Sequence, residues 1–298
     1  MTQLRQFAIE DSADRELFSE NEVSQLRLAT TVRLCNLPLF NQGAIKLLTI
    51  ASGDDGAMAE FETVFRSDPG LAAELLLLAN SAAFGFRARI PSIGRALQFL
   101  GLERSRSLVS RIAMSFYLRT SSRKEVQAVW SHSIATAVIA EHLGEAGGWS
   151  MPMLFTAGLL HDVGTLGLFL TSRGQYPELI ALKLADAEEA RRIETILWGV
   201  SHTEAGALLA DAWGFPASLR RCIRDHHGNV SASDDPLLSV VQQACRFASY
   251  LGYAEPFVAT YGRTKDATAA LPDDLARRPE FAPELLRDLI TTQMALSS

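Results

Sequence analysis

An apolar stretch, MPMLFTAGLLHDVGTLGLFL from Met151 to Leu170, is broken near its middle by His161-Asp162, and no other feature restricts the fold so tightly. An imidazole and a carboxylate set into a run of Leu, Val and Phe are buried with that run. Burying a polar group without a partner costs roughly 1–3 kcal/mol, and burying a lone charge costs far more. The fold must therefore bring partners to this pair. A metal ion is one partner that accepts both residue types.

The surrounding periodicity is helical. Leu71, Leu75, Leu78 and Ala79 mark one face after Asp68-Pro69, where Asp can cap and Pro suits the first helical position. Gly85 is expected to stop that helix. SIGRALQFL opens at Ser92 and should close at Gly101, followed by a longer helix from Leu102. VQAVWSHSIATAVIAEHLG is amphipathic with His132 in its interior. The stretch holding His161-Asp162 should end or bend just after the pair, at Gly164. Residues 171–190 are weaker in pattern and read as a mobile connection or a short helix. Ser201 with Glu204 three residues on forms a capping box, and Pro216 precedes ASLRRCIRDHHG. A polar break at residues 229–236 leads to a helix from Leu237 to about Leu251, and a last helix ends the chain. No neighbouring segments show the period-two alternation of a hairpin. The chain reads as all-α.

Composition bounds the rest. The 298 residues suffice for one large domain or two ordinary ones, and 48% hydrophobic with 21% charged residues is a globular balance. The net charge of −6 argues against broad nucleic-acid binding, which needs a basic surface. The longest apolar stretches are interrupted by Glu74 or end at His161, short of a bilayer span, so no membrane segment is expected. The start, MTQLRQFAIEDSADRE, lacks the order of a signal peptide, and three cysteines without paired spacing imply no disulfide framework. A cytoplasmic location is expected. In residues 86–111, Arg87, Arg89, Arg95, Arg104, Arg106 and Arg111 face one acid, Glu103. Such a patch suits phosphate or carboxylate groups, although an exposed charged helix face explains it as well.

The candidate site residues are His132, His161, Asp162, His202, His226 and His227. They fall on four helical segments, a distribution that suits ligands projecting into a bundle interior. Each has an ordinary reading as well. His132 alone suits a hydrogen-bonded core histidine, His202 a ring covering a helix start, and His226 and His227 cations at a helix C-terminus. His142, on EHLGE, reads as a surface residue.

LLHDVG, preceded by His132, resembles the HD superfamily of metal-dependent phosphohydrolases. NLPLF near residue 36, RSDPGLAAELLLLANSAAFG at 66–85 and SIGRALQFLGLERSRSLV at 92–109 narrow the resemblance to the HDOD domain, an output domain of bacterial signalling proteins. WSHSIATAVIAEHL, AGLLHDVGTLGLFL, GVSHTEAGALLADAWGFP and IRDHHG continue it in order, over about residues 30–230. The resemblance implies a two-lobed helical HDOD fold with an HD-like helical half. It places the HDOD domain at 30–230 with lobes 30–120 and 121–230, and the flanking residues read as an N-terminal helical extension at 1–29 and a C-terminal helical segment at 231–298. It also implies a regulatory module that is mostly non-catalytic in this family.

The sequence departs from the enzyme pattern at three places. Cys245 stands where the final Asp of an active HD site is expected, Ala128 where an acidic residue would precede His132 by one turn, and no Gly-Tyr-Pro follows His226-His227. Cys245 could ligate a soft metal as thiolate, but a buried structural cysteine is the favoured reading. The expected function is a non-catalytic signal-transduction module with a degenerate metal pocket. One divalent transition metal (Fe, Mn, Zn or Ni) is expected rather than two. A signalling protein is the expected partner, a nucleotide or cyclic dinucleotide a further ligand, and nucleic acid is not expected. The alternative is a metal-dependent phosphohydrolase acting on a nucleotide or cyclic dinucleotide, in which Asp162 would be catalytic.

Overall fold

Side-chain caps and prolines set most of the helix starts. Ser19 and Ser201 each accept from the backbone N–H three residues on, and Glu22 and Glu204 reach back to close capping boxes. Asp186 and Asp235 cap in the same way, with Pro236 at the first position of its helix. The structure is a computed structural model. It describes residues 19–37, 42–50, 57–67, 69–80, 90–119, 124–148, 153–172, 175–228, 234–255, 257–258, 271, 275 and 277–295. Asp68 and Gly85, expected at helix ends, lie outside these residues.

In chain order the helices are α1 (Glu20–Cys35), α2 (Gln42–Thr49), α3 (Ala57–Ser67), α4 (Pro69–Ala79), α5 (Ile93–Arg119), α6 (Lys124–Ala146) and α7 (Leu154–Leu160). They continue with α8 (Val163–Thr171), α9 (Tyr176–Leu182), α10 (Ala187–Trp198), α11 (His202–Ala212), α12 (Ala217–Asp225), α13 (Pro236–Tyr250) and α14 (Pro283–Ala295). Helices α2, α3 and α4 pack against α5. Helix α6 packs against α7, α8, α13 and α14, while α11 packs against α1, α8, α10 and α12. Helix α5 meets α7, so one hydrophobic core runs from Leu34 to Ile290. Among the described residues the only strand-like pairing is an isolated bridge between Leu184 and Val258, and the fold is all-α as the periodicity implies. Helix α1 runs across the boundary drawn at residue 29 and rests on α8, α10 and α11.

Gly101 breaks α5 with φ 73° and ψ 169°, at the junction expected from the sequence. Residues 171–190 contain the short helix α9. The bend expected at Gly164 falls earlier: α7 ends at Leu160, His161 and Asp162 form the break, and Gly164 lies inside α8. Gly164 serves helix contact. A Cβ there would fall against the carbonyl oxygen of His202 and 2.5 Å from the nitrogen of Gly206 on α11. The residues Leu154–Thr171 are long and apolar enough to cross a membrane, with hydropathy 1.4, but 89% of that window is buried inside the fold.

The arginine-rich stretch is not one exposed face. Arg95 and Arg104 are exposed, whereas Arg106 is 3% exposed and donates to the carbonyl of Ile50. Its guanidinium also lies 3.6 Å from Met153 Sδ and 5.9 Å from the centre of the Phe61 ring. Arg87 and Arg89, and the side chain of Arg111, lie outside the described residues.

Gly164→Ala is expected to destabilise the fold by roughly 2–3 kcal/mol or more, because backbone atoms on both sides of the added methyl must separate. Urea unfolding checks this; a loss under about 0.5 kcal/mol, the range of a neutral surface change, would refute the close α8–α11 contact.

Candidate metal centre

Five imidazoles, one thiol and three carboxylates converge where α6, α7, α10, α11, α12 and α13 meet. Helix α6 carries His132 in its interior, and the α7–α8 break carries His161 and Asp162. The capping box at Ser201 starts α11 so that His202 is its first residue. Helix α12 ends at Asp225, leaving His226 and His227 just beyond it. Helix α13 brings Cys245, and the segment after it brings Tyr253 and Glu255.

Four of the five rings are aimed by an outer hydrogen bond. Nδ1 of His132 lies 2.7 Å from the carbonyl oxygen of Tyr253, Nδ1 of His161 2.7 Å from that of Gly158, and Nδ1 of His226 2.8 Å from that of Ile223. A carbonyl only accepts, so each of these three nitrogens carries the proton. In the neutral ring Nε2 then bears a lone pair. His132 Nε2 and His161 Nε2 face one another at 3.2 Å, and His226 Nε2 is buried with no hydrogen-bond partner. Two opposed lone pairs repel, and a cation between such nitrogens removes the conflict. The outer-partner pattern is that of metal-binding histidines.

His202 is oriented by charge. Its Nδ1 and its backbone N–H both lie 2.7 Å from Glu194 Oε2, and its Nε2 lies 2.9 Å from His227 Nε2. Burial pulls its pKa down, but the Glu194 carboxylate outweighs this and leaves it raised to about 9. His202 is thus an imidazolium in the metal-free protein, donating to Glu194 and to His227. Burial pulls His132 down to about 4, and pulls His161, His226 and His227 well below 6.5, with neighbouring imidazoles adding to the effect. Burial pushes the Asp162 carboxyl up to about 6 against the opposing pull of His202, and pushes Glu255 up to about 8 with help from Asp162. Glu255 Oε1 sits 3.4 Å from His227 Nε2, which at neutral pH is a contact between two neutral groups.

The candidates fall into two triplets, His132 with His161 and Cys245, and His202 with His226 and His227; within each the ligand atoms lie within 4.8 Å of one another. The rings of His161 and His226 touch edge to face, centroids 4.9 Å apart, and so join the triplets. Asp162 is in neither triplet among the described residues. Its Oδ1 accepts from Thr165 Oγ1, and its Oδ2 is buried without a partner. Both His226 and His227 turn into the cluster. His142 is half-buried and belongs to neither triplet.

Sequence reasoning missed Glu194, Glu255 and the carbonyl of Tyr253. Glu194 had a visible signal, since it sits four residues from both Ala190 and Trp198 on the buried stripe of α10. Glu255, in a short apolar segment after the glycine at 252, had little signal. Cys245 is buried, as its favoured structural reading has it, with its Sγ 3.6 Å from His132 Nε2.

The sequence model of the HDOD domain matches residues 37–229. A protein of Treponema pallidum (strain Nichols), with no described function, is 26% identical over 252 residues, or 82% of this chain; the chain spans about half of that relative, 48%. An HDOD domain protein of unknown function from Geobacter sulfurreducens has a TM-score of 0.70 at 22% identity, covering 92% of this chain and 97% of its own. A candidate signal-transduction protein from Marinobacter aquaeolei VT8 has a TM-score of 0.72 at 18% identity, covering 95% and 67%. A candidate metal-dependent phosphohydrolase from Shewanella amazonensis SB2B has a TM-score of 0.57 at 18% identity, covering 93% and 100%. At these identities the three structures establish a shared fold.

The metal-free protein should be most stable between about pH 6 and 7. His132, His161, His226 and His227 stay neutral in the fold but take up protons at about 6.5 when unfolded, so their contribution is present above 6.5 and lost as pH falls toward 4. Asp162 and Glu255, raised in the fold, offset part of this loss. His202 contributes fully below 6.5 and loses its contribution as pH rises through about 9. Urea midpoints of chelator-treated protein from pH 4 to 9 measure the curve. His132→Gln should flatten its acid limb; an unchanged slope would refute the neutral buried ring.

Proposed function

This chain belongs to the HDOD domain family, and on that premise we propose that it is a non-catalytic regulatory module of cytoplasmic signal transduction whose HD-like pocket holds one divalent transition metal. The opposed lone pairs of His132 and His161, 3.2 Å apart and each fixed by a carbonyl on the far side of the ring, carry the metal reading. Its ligands are drawn from His132, His161, Asp162, His202, His226 and His227. Imidazole with carboxylate suits Fe, Mn, Zn or Ni, and excludes the all-oxygen preference of Ca2+ and Mg2+.

When bound, such an ion supplies Lewis acidity and can lower the pKa of a coordinated water. The chain's own residues favour a structural use. The six side chains are enclosed: five are at most 3% exposed, and the side chain of His227 reaches only 11%. A phosphate ester would have to displace packed helices to reach them. Cys245 occupies the place of a carboxylate, and Glu194 is committed to His202. The fold then offers its surface to a signalling partner, with the ion fastening the helices that present it. A nucleotide or cyclic dinucleotide is the small-molecule signal such a module would sense.

Phosphohydrolase activity is the second reading. Asp162 Oδ2 and Glu255 Oε2 favour it, as buried carboxyl oxygens without hydrogen-bond partners that could orient a water.

Metal analysis of full-length protein purified without chelator should find close to one equivalent of transition metal, and the loaded protein should not hydrolyse bis(p-nitrophenyl) phosphate or cyclic dinucleotides. Hydrolysis that requires metal and disappears in Asp162→Ala would overturn the non-catalytic reading. Glu194→Gln should weaken metal binding by about 10–100-fold, the usual cost of losing an outer partner. Unaltered affinity would mean that His202 is not a ligand.

A further inference from the structure

We propose that Cys245 is a metal ligand, so that His132, His161 and Cys245 form a mixed imidazole–thiolate half of the pocket. This rests on the metal-pocket reading above and adds a sulfur donor to it.

Two of the separations among these donors match those expected around a tetrahedral ion. With metal–sulfur and metal–nitrogen bonds of about 2.3 and 2.0–2.1 Å, tetrahedral angles put sulfur and nitrogen about 3.6 Å apart and two nitrogens about 3.3–3.4 Å apart. Cys245 Sγ lies 3.6 Å from His132 Nε2, and His132 Nε2 lies 3.2 Å from His161 Nε2. A hydrogen bond alone accounts for the first separation but not the second, because both imidazole nitrogens are acceptors. Beside this triplet, Asp162 Oδ2 and His226 Nε2 are buried and without hydrogen-bond partners.

The two halves differ in softness. His132, His161 and Cys245 offer two nitrogens and a sulfur, whereas His202, His226 and His227 offer nitrogen only, with the carboxyl of Glu255 beside them. Thiolate donors favour Zn2+ over Mn2+, so the thiol half selects a softer ion than an all-carboxylate site would. On coordination the S–H proton leaves to solvent as the metal–sulfur bond forms, with no change in oxidation state. Cys222, also buried, lies in neither triplet, and Cys35 is exposed on α1.

Cobalt(II) titration of the reduced, chelator-stripped full-length protein tests this. A near-ultraviolet thiolate-to-cobalt charge-transfer band is expected, bleached by added Zn2+ and lost in Cys245→Ala. Loss of a ligand should weaken Zn2+ binding by at least about 10-fold, the lower end of what outer-partner losses cost. Cys245→Asp guards against a folding defect: it should keep a helical circular dichroism spectrum and bind cobalt without the band. Cobalt binding without the band, or a band that survives in Cys245→Ala and vanishes in Cys35→Ser, would overturn the thiolate assignment and leave the pocket standing. Failure to bind any cobalt would overturn the pocket reading as well.

Discussion

The direction of four of the five imidazoles in the cluster is set from behind. Carbonyl oxygens of Tyr253, Gly158 and Ile223 hold three rings by Nδ1, and Glu194 holds a fourth. With the outer nitrogens committed, the inner ones face the interior, and the interior becomes rich in lone pairs and poor in protons. Burial alone would only drive these rings to neutrality. Orientation is what turns these imidazoles into a ligand set.

The same constraint explains why α8 and α11 touch so closely. His202 must start a helix beside the His161-Asp162 break, and Gly164 and Gly206 let the backbones approach. The α7–α8 break itself is placed by the polar pair, since two residues that must face partners cannot both lie on one apolar helix face. Fold and site are therefore a single packing solution in this half of the molecule.

Much of this was readable along the chain. The capping boxes, the proline starts and the Gly101 break are local, and local rules found them. The His161-Asp162 pair was visible because it violates an apolar pattern. What escaped was non-local or carried by backbone. The Tyr253 carbonyl that aims His132 lies 121 residues away and is independent of side-chain identity. Gly164 looked like a stop because only the facing helix shows why a side chain is forbidden there. Arg106 looked like surface charge, yet it spans from Ile50 to Met153 through the core.

Three groups at the pocket, Cys245, the Tyr253 carbonyl and Glu255, lie beyond residue 229, where the family match ends. Synthesis proceeds from the N-terminus, and a domain folds as a unit. Helices α6 to α12 are thus synthesised while His132 still lacks the carbonyl that aims its ring. The pocket closes only after α13 and the turn beyond it have been made and have returned to α6. Any ion held by His132 is acquired after that segment has returned, which makes the late-arriving segment a checkpoint on assembly as well as a wall of the pocket.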